Sequence, residues 1–158
     1  MIYISYFYNI RFFPENLIPM STAMWDPKWY HNNGPETIIF KDKRNVINGA
    51  RAQVLAPTEE NIHISLTDSE MCKGPEICRY SPINCKFLKR YYDYLSSLDF
   101  YSVISSLEAD ANKLRQNSNI CLMVYETPSN PCSERQMLIK WFNNHGVDLP
   151  EWNKDMVK

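Results

Sequence analysis

NICLMVYETPSNPCSERQMLIKWFNNHG, residues 119–146, places an apolar run, a polar turn and an amphipathic stretch in immediate succession. Residues 120–125 form the short continuous apolar run of a buried strand, and Pro128 and Pro131 deny the chain beyond Glu126 a regular ladder. Met137, Leu138, Trp141 and Phe142 then recur at helical spacing, and Gly146 stands where a left-handed residue closes a helix. The turn is therefore expected at the carboxyl end of a strand, the edge of an open α/β sheet where helix N-termini and loop side chains gather around ligands.

Two caps compete for the start of that helix. Asn130 can cap with Pro131 at the first helical position, or Ser133 can cap with Gln136 three residues on. Either register puts Cys132 at the helix mouth, where the dipole and Arg135 favour thiolate, and Glu126 faces the same turn. Such a junction also suits an anion. Three readings stay open: nucleophilic catalysis by Cys132 with Glu126 and Arg135, ligand binding without covalent chemistry, and a half-buried turn in which Arg135 pairs with Glu126 or Glu134. Cys132 and Arg135 stand too close in sequence for the phosphate loop of cysteine phosphatases. The three histidines, His31, His63 and His145, are all distant in sequence.

Outward from this stretch, strands and helices alternate. Residues 2–10 are rich in β-branched and aromatic side chains and read as a first strand, and 17–24 as a second, which Pro19 would confine to an edge or a late start. The aromatic turn after it holds Trp29 and Tyr30, suited equally to stacking a flat ligand and to capping the core. Short strands are expected at 37–40 and 52–55. Ser81 and Pro82 open a helix striped by Phe87, Leu88, Tyr91, Tyr92, Leu95 and Leu98. Asp99 caps a second with Phe100, Val103, Ile104, Leu107, Ala111 and Leu114 on one face. Residues 147–152 are expected to form a last strand. The fold class is α/β: a single three-layer Rossmann-like domain over residues 1–152 with a largely parallel sheet, followed by a tail at 153–158. Residues 58–85 have weak periodicity and contain Gly74 and Pro75, so they read as a long cysteine-bearing loop insertion.

Composition sets the class. The chain has 158 residues, 44% apolar and 22% charged, with a net charge of −1, which gives no global basic field for nucleic acid. No stretch reaches membrane length, and residues 1–10 lack a basic leader, so a cytoplasmic location without membrane contact is expected. Five cysteines, an odd and clustered set, point away from a disulfide framework. Cys72, Cys78 and Cys85 could supply three corners of a structural zinc site, although their spacing is looser than a zinc knuckle.

With these residues in hand, the chain resembles the family described as domain of unknown function 488, small α/β proteins of bacteria, archaea and phages. That family's strand ending in Cys-Tyr-Glu, its Pro-containing turn, its Cys-His-Arg and its helical Trp are similar to Val124-Tyr125-Glu126, Pro128, Cys132-Ser133-Glu134-Arg135 and Trp141. Its Ser-x-Ala-Arg-Gly-x-Pro-x-Trp-Tyr corresponds to Ser21, Ala23, Met24, Trp25, Pro27, Trp29 and Tyr30, and its Leu-Ala-Pro to Leu55-Ala56-Pro57. Val124 replaces the first motif cysteine, Ser133-Glu134 the histidine, and Met24 the early arginine. The resemblance implies an α/β fold with a site at this junction and a setting in nucleotide or nucleic-acid metabolism. The expectation is a pocket with Cys132, Glu126 and Arg135 as its chemistry and Trp29, Tyr30, Tyr125 and Ser133 as its ligand contacts. It takes a small anionic, nucleotide-derived or nucleic-acid-derived ligand, with turnover or without. The alternative is a zinc-stabilised binding module or phage-type interaction protein that docks a protein, a nucleic acid or a signalling nucleotide.

Overall fold

The first strand, β1 (Ile2–Tyr6), alternates by the pleat: Ile2 and Ile4 point to one face of the sheet, Tyr3 and Ser5 to the other. The apolar run beginning at Asn119 forms β6 (Asn119–Val124), in which every residue after Asn119 is buried, as a strand covered on both faces requires. A computed structural model describes residues 1–31, 47–65 and 74–156. Between those two strands in sequence lie β2 (Leu17–Ser21), β3 (Tyr30–His31), β4 (Ile47–Asn48) and β5 (Ala50–Arg51). The principal sheet runs β1-β6-β2-β5 with every pairing parallel, and β3 and β4 form a separate parallel pair. The protein is α/β.

Five helices follow the early strands: α1 (Glu59–Ile62), α2 (Pro75–Tyr80), α3 (Lys86–Ser96), α4 (Phe100–Leu114) and, after β6, α5 (Arg135–Asn144). All five bury side chains in one cluster with Ile4, Met20, Ile120 and Leu122. The opposite face carries no α-helix among the described residues. A 3-10 turn, Phe7–Phe12, covers it together with Ala23, Tyr30 and Trp152, packed on Cys121 and Met123. The third layer expected from sequence is thus a thin one.

Several boundaries depart from the sequence expectation, each for a local reason. The first strand stops at Tyr6, because Asn9 turns back to donate to Ser5 Oγ at 2.9 Å and the chain tightens into the 3-10 turn. Residues 53–55 are a 3-10 turn, not a strand, and their carbonyls are collected by two tyrosines of α3: Tyr94 donates to Val54 and Tyr91 to Leu55, both at 2.6 Å. Pro19 lies in an interior strand. It is tolerated because β5 pairs with β2 only from Met20 onward, so the missing amide hydrogen costs no ladder bond. The gap is filled by Tyr30, whose buried hydroxyl lies 2.9 Å from the Pro19 carbonyl and 2.5 Å from that of Ala50. Gly49 is required beside it, since a Cβ there would meet the Tyr30 hydroxyl and sit 2.7 Å from the Pro19 oxygen.

The segment expected to be a long loop insertion at 58–85 contains α1, α2 and a 3-10 turn, Pro82–Asn84. Thr58 caps α1 through Asn61, and Pro75 occupies the first turn of α2, local signals that the weak apolar periodicity hid. Residues 147–152 provide a single parallel bridge, Glu151 to Ile4, not a strand. Residues 37–40 lie outside those described. Asp99 caps α4 as expected, accepting from the Ser102 amide. Gly146, at φ +74°, closes α5 with two back-bonds, Gly146 to Asn143 and Val147 to Phe142, the Schellman arrangement.

Candidate functional site at the carboxyl edge of the sheet

β1 and β2 both leave the sheet toward the face without helices, whereas β6, lying between them, leaves toward α5 on the helical face. Adjacent strands that exit to opposite faces open a crevice at their carboxyl ends. Tyr125 and Glu126 stand there, directly after β6.

On one side of the crevice is an aromatic shelf. Buried Phe7 is its hub, with ring centroids 5.0 Å from Tyr125, 5.5 Å from Tyr30 and 6.2 Å from Trp29. Tyr125 is 49% exposed and Trp29 39%, so two faces remain open to a flat molecule. Tyr30 does not offer its hydroxyl, which is committed to backbone carbonyls, and burial raises its pKa well above the ordinary value. The loop carrying Trp29 is tied to β5 by Arg51, which pairs with Asp26 at 2.9 Å and donates to the Met24 carbonyl at 3.1 Å.

On the other side the acidic and basic groups converge, with partners the sequence did not give. Arg135 is buried. Its Nε donates to Glu151 Oε1 at 2.7 Å and its Nη1 to the backbone carbonyl of Glu126 at 2.7 Å. The guanidinium is spent on these groups, so an anion at the junction would have to displace Glu151 from it. Ser133 is 2% exposed, and its hydroxyl accepts from the Arg135 amide at 3.2 Å; the N-cap position itself is Glu134, which makes no side-chain cap bond. The helix itself begins at Arg135, and the Met137 amide is taken by the Glu134 carbonyl. Of the first three helix amides, two are therefore already used. Gln136 reaches back to the carbonyls of Pro131 and Cys78, at 2.8 and 2.9 Å.

Cys132 is half-buried against the helical core, three residues before the helix, with its amide donating to Asn130 Oδ1 at 2.9 Å. Both capping side chains named from the sequence do act on this turn, one on Cys132 and one on Arg135. His145, a conceivable base for the thiol, is stacked on Phe100 at the far end of α5, about 15 Å along a helix of that length.

Glu134 is the residue that sequence reasoning placed only as a pairing partner for Arg135. It is 7% exposed, and burial first, then the nearby Glu126 charge, push its carboxyl up to about 8. Glu126 has one carboxyl oxygen, Oε1, buried without a hydrogen-bond partner. Glu151 is also raised, because burial outweighs the attraction of Arg135. The crevice thus holds a raised carboxyl, Glu134, beside Glu126, whose Oε1 lacks a hydrogen-bond partner.

Cys78 and Cys85 are buried in the helical core, and Cys72 lies outside the described residues. Among the described residues no group of three His, Cys, Asp or Glu side chains is placed to hold a metal. No helix there is long and apolar enough to cross a membrane.

Comparison with protein families, with curated proteins and with solved structures finds no match for this chain.

Proposed function

We propose that the crevice at the carboxyl end of β6 binds a small, flat, nucleotide-derived ligand, and that Glu134 and Glu126 exchange protons with it. One observation carries the reading: on one strand-to-helix turn a buried carboxyl, Glu134, lies beside Glu126, whose Oε1 is buried without a hydrogen-bond partner. Glu134 keeps its proton up to about 8, while Glu126 presents a buried oxygen with no donor. A carboxyl raised by burial into the neutral range is suited to general acid-base work. A flat heterocycle stacked on Tyr125 would lie next to the turn that carries Glu126.

This reading shifts the weight within the site. Cys132, Glu126 and Arg135 are the expected chemistry; the environment supports Glu126 with Glu134 as the proton-handling pair and Arg135 as the residue that positions them. The reading is consistent with a divergent member of the resembled family, whose motif histidine is replaced here by Ser133-Glu134. Nucleosides titrated into the full chain test it through the ring resonances of Tyr125 and Trp29. Saturable shifts at both rings are expected, with affinity reduced at least fivefold in Glu126→Gln. Rings that stay unmoved by purine and pyrimidine nucleosides alike would overturn it.

A further inference from the structure

A second site lies on the helical face, away from the crevice. The segment linking α2 to α3, with α3 and α5, encloses a groove of about 420 Å³, within the range of small-molecule pockets. Buried Met137 is part of its lining, with Tyr80 at the end of α2 and Pro82 and Ile83 from the linking segment. Tyr80 is 77% exposed and Ile83 70%, so two bulky apolar side chains stand in solvent at one groove. Scattered exposed apolar residues need no explanation; two flanking a cavity do.

The charge in the groove is unbalanced. Lys89 is paired with Asp93 at 2.8 Å. Lys140 has no ion pair among the described residues; its ammonium lies 4.5 Å from the centre of the Tyr92 ring. Two lysines against one aspartate leave the lining at +1. Tyr92 is held in place by Asn144, whose side-chain amide donates to its hydroxyl oxygen. The phenol's own proton is then directed away from Asn144 and can serve an acceptor. Gln136 fixes the groove's frame, since its bond to the Cys78 carbonyl ties α5 to α2.

From these features we infer that the groove binds a small planar aromatic carboxylate, its ring against Tyr80, Ile83 and Met137 and its carboxylate toward Lys140 and the Tyr92 hydroxyl. The cation that the crevice lacks is found here. An acidic ligand complements the net charge, and the apolar lining accounts for the ring. This site is independent of the crevice and of the reading given for it.

The test uses the full chain with 2-naphthoate and, as the uncharged isostere, 2-naphthamide, followed by the methyl resonances of Ile83 and Met137. Naphthoate is expected to shift both methyls saturably and to bind at least threefold more tightly than naphthamide. Exposed Lys140→Met keeps the side-chain stem over Tyr92 and should cost naphthoate about three- to fivefold in affinity, the scale of a solvent-accessible ion pair, with no effect on naphthamide. Equal affinity for acid and amide would overturn the inference, as would unchanged naphthoate binding in Lys140→Met. So would no saturable shift at either methyl, or shifts at Ile83 that follow protein concentration alone, which would mark a contact between copies of the chain.

Discussion

Arg135 is the residue whose removal discriminates most sharply between a ligand contact and a built-in bridge. As a ligand contact it could be truncated with the fold intact. The structure gives it instead two short charge-assisted bonds at 2.7 Å, to Glu151 and to the Glu126 carbonyl, with its side chain 7% exposed and that of Glu151 29% exposed. Hydrogen bonds to charged groups contribute roughly 1.5–3 kcal/mol each, and breaking a fully buried pair costs about 3–5 kcal/mol. Because Glu151 retains partial access to water, its abandoned carboxylate is partly rehydrated, and Arg135→Met should cost about 3 kcal/mol. The loss includes the tie between α5 and the Glu151 bridge on the edge of β1, so the C-terminal segment should lose amide protection first. Urea unfolding measures the cost. In a Glu151→Leu background, Arg135→Met should cost about 2 kcal/mol less, because the carboxylate it would strand is already gone. A cost below about 1 kcal/mol in the wild-type background, or the same cost in both backgrounds, would refute the bridge.

Other consequences follow from the same geometry. Glu134 has a folded value near 8 against an ordinary 4.5, so the native state holds a proton that the unfolded chain has released. Stability from this group is therefore full below about 4.5 and falls as pH rises toward 8, by up to about 5 kcal/mol. Glu134→Gln should abolish that slope and leave the variant more stable than wild type at pH 8 but not at pH 4, read by urea unfolding across the range. Gly49→Ala should destabilise by about 1–3 kcal/mol by driving a methyl into the Tyr30 hydroxyl and the Pro19 carbonyl; an unchanged midpoint would contradict that packing. Gly146→Ala should cost about 1 kcal/mol in thermal unfolding, purely from the positive φ, because no atom lies within 4 Å of the added methyl.

Where the chain signals locally, the sequence was readable. The 120–125 run, the Asp99 cap, the stripe of α4 and the Gly146 stop all work through residues within one or two turns of each other and stand where expected, with Tyr125 just past the strand; Ser81 and Pro82 instead open a 3-10 turn, and α3 starts only at Lys86. Pro19 misled because its edge is local: β2 is interior, but its flank toward β5 is unpaired at that one residue. The segment 58–85 misled because its helices are short and capped and bury only a few side chains, so no 3.6-residue stripe develops. At the site, Tyr125, Glu126 and Arg135 were visible because they share one turn. Glu151 was not, since it reaches Arg135 only when the C-terminal segment bridges to Ile4. Asp26 and Arg51 are likewise joined by tertiary contact across 25 residues. Glu134 was legible only as a possible partner of Arg135; its raised carboxyl depends on burial and on the nearby Glu126 charge, which only the fold creates.

The central claim is that burial, reinforced by the nearby Glu126 charge, keeps Glu134 protonated at neutral pH in the turn after β6. A carbon-detected NMR titration of the glutamate side-chain carboxyls, with Glu134→Gln to assign the resonance, tests it directly. The account predicts a Glu134 midpoint near 8, moving down in Glu126→Gln as the neighbouring charge is removed. A midpoint near the ordinary 4.5, unmoved by Glu126→Gln, would contradict it.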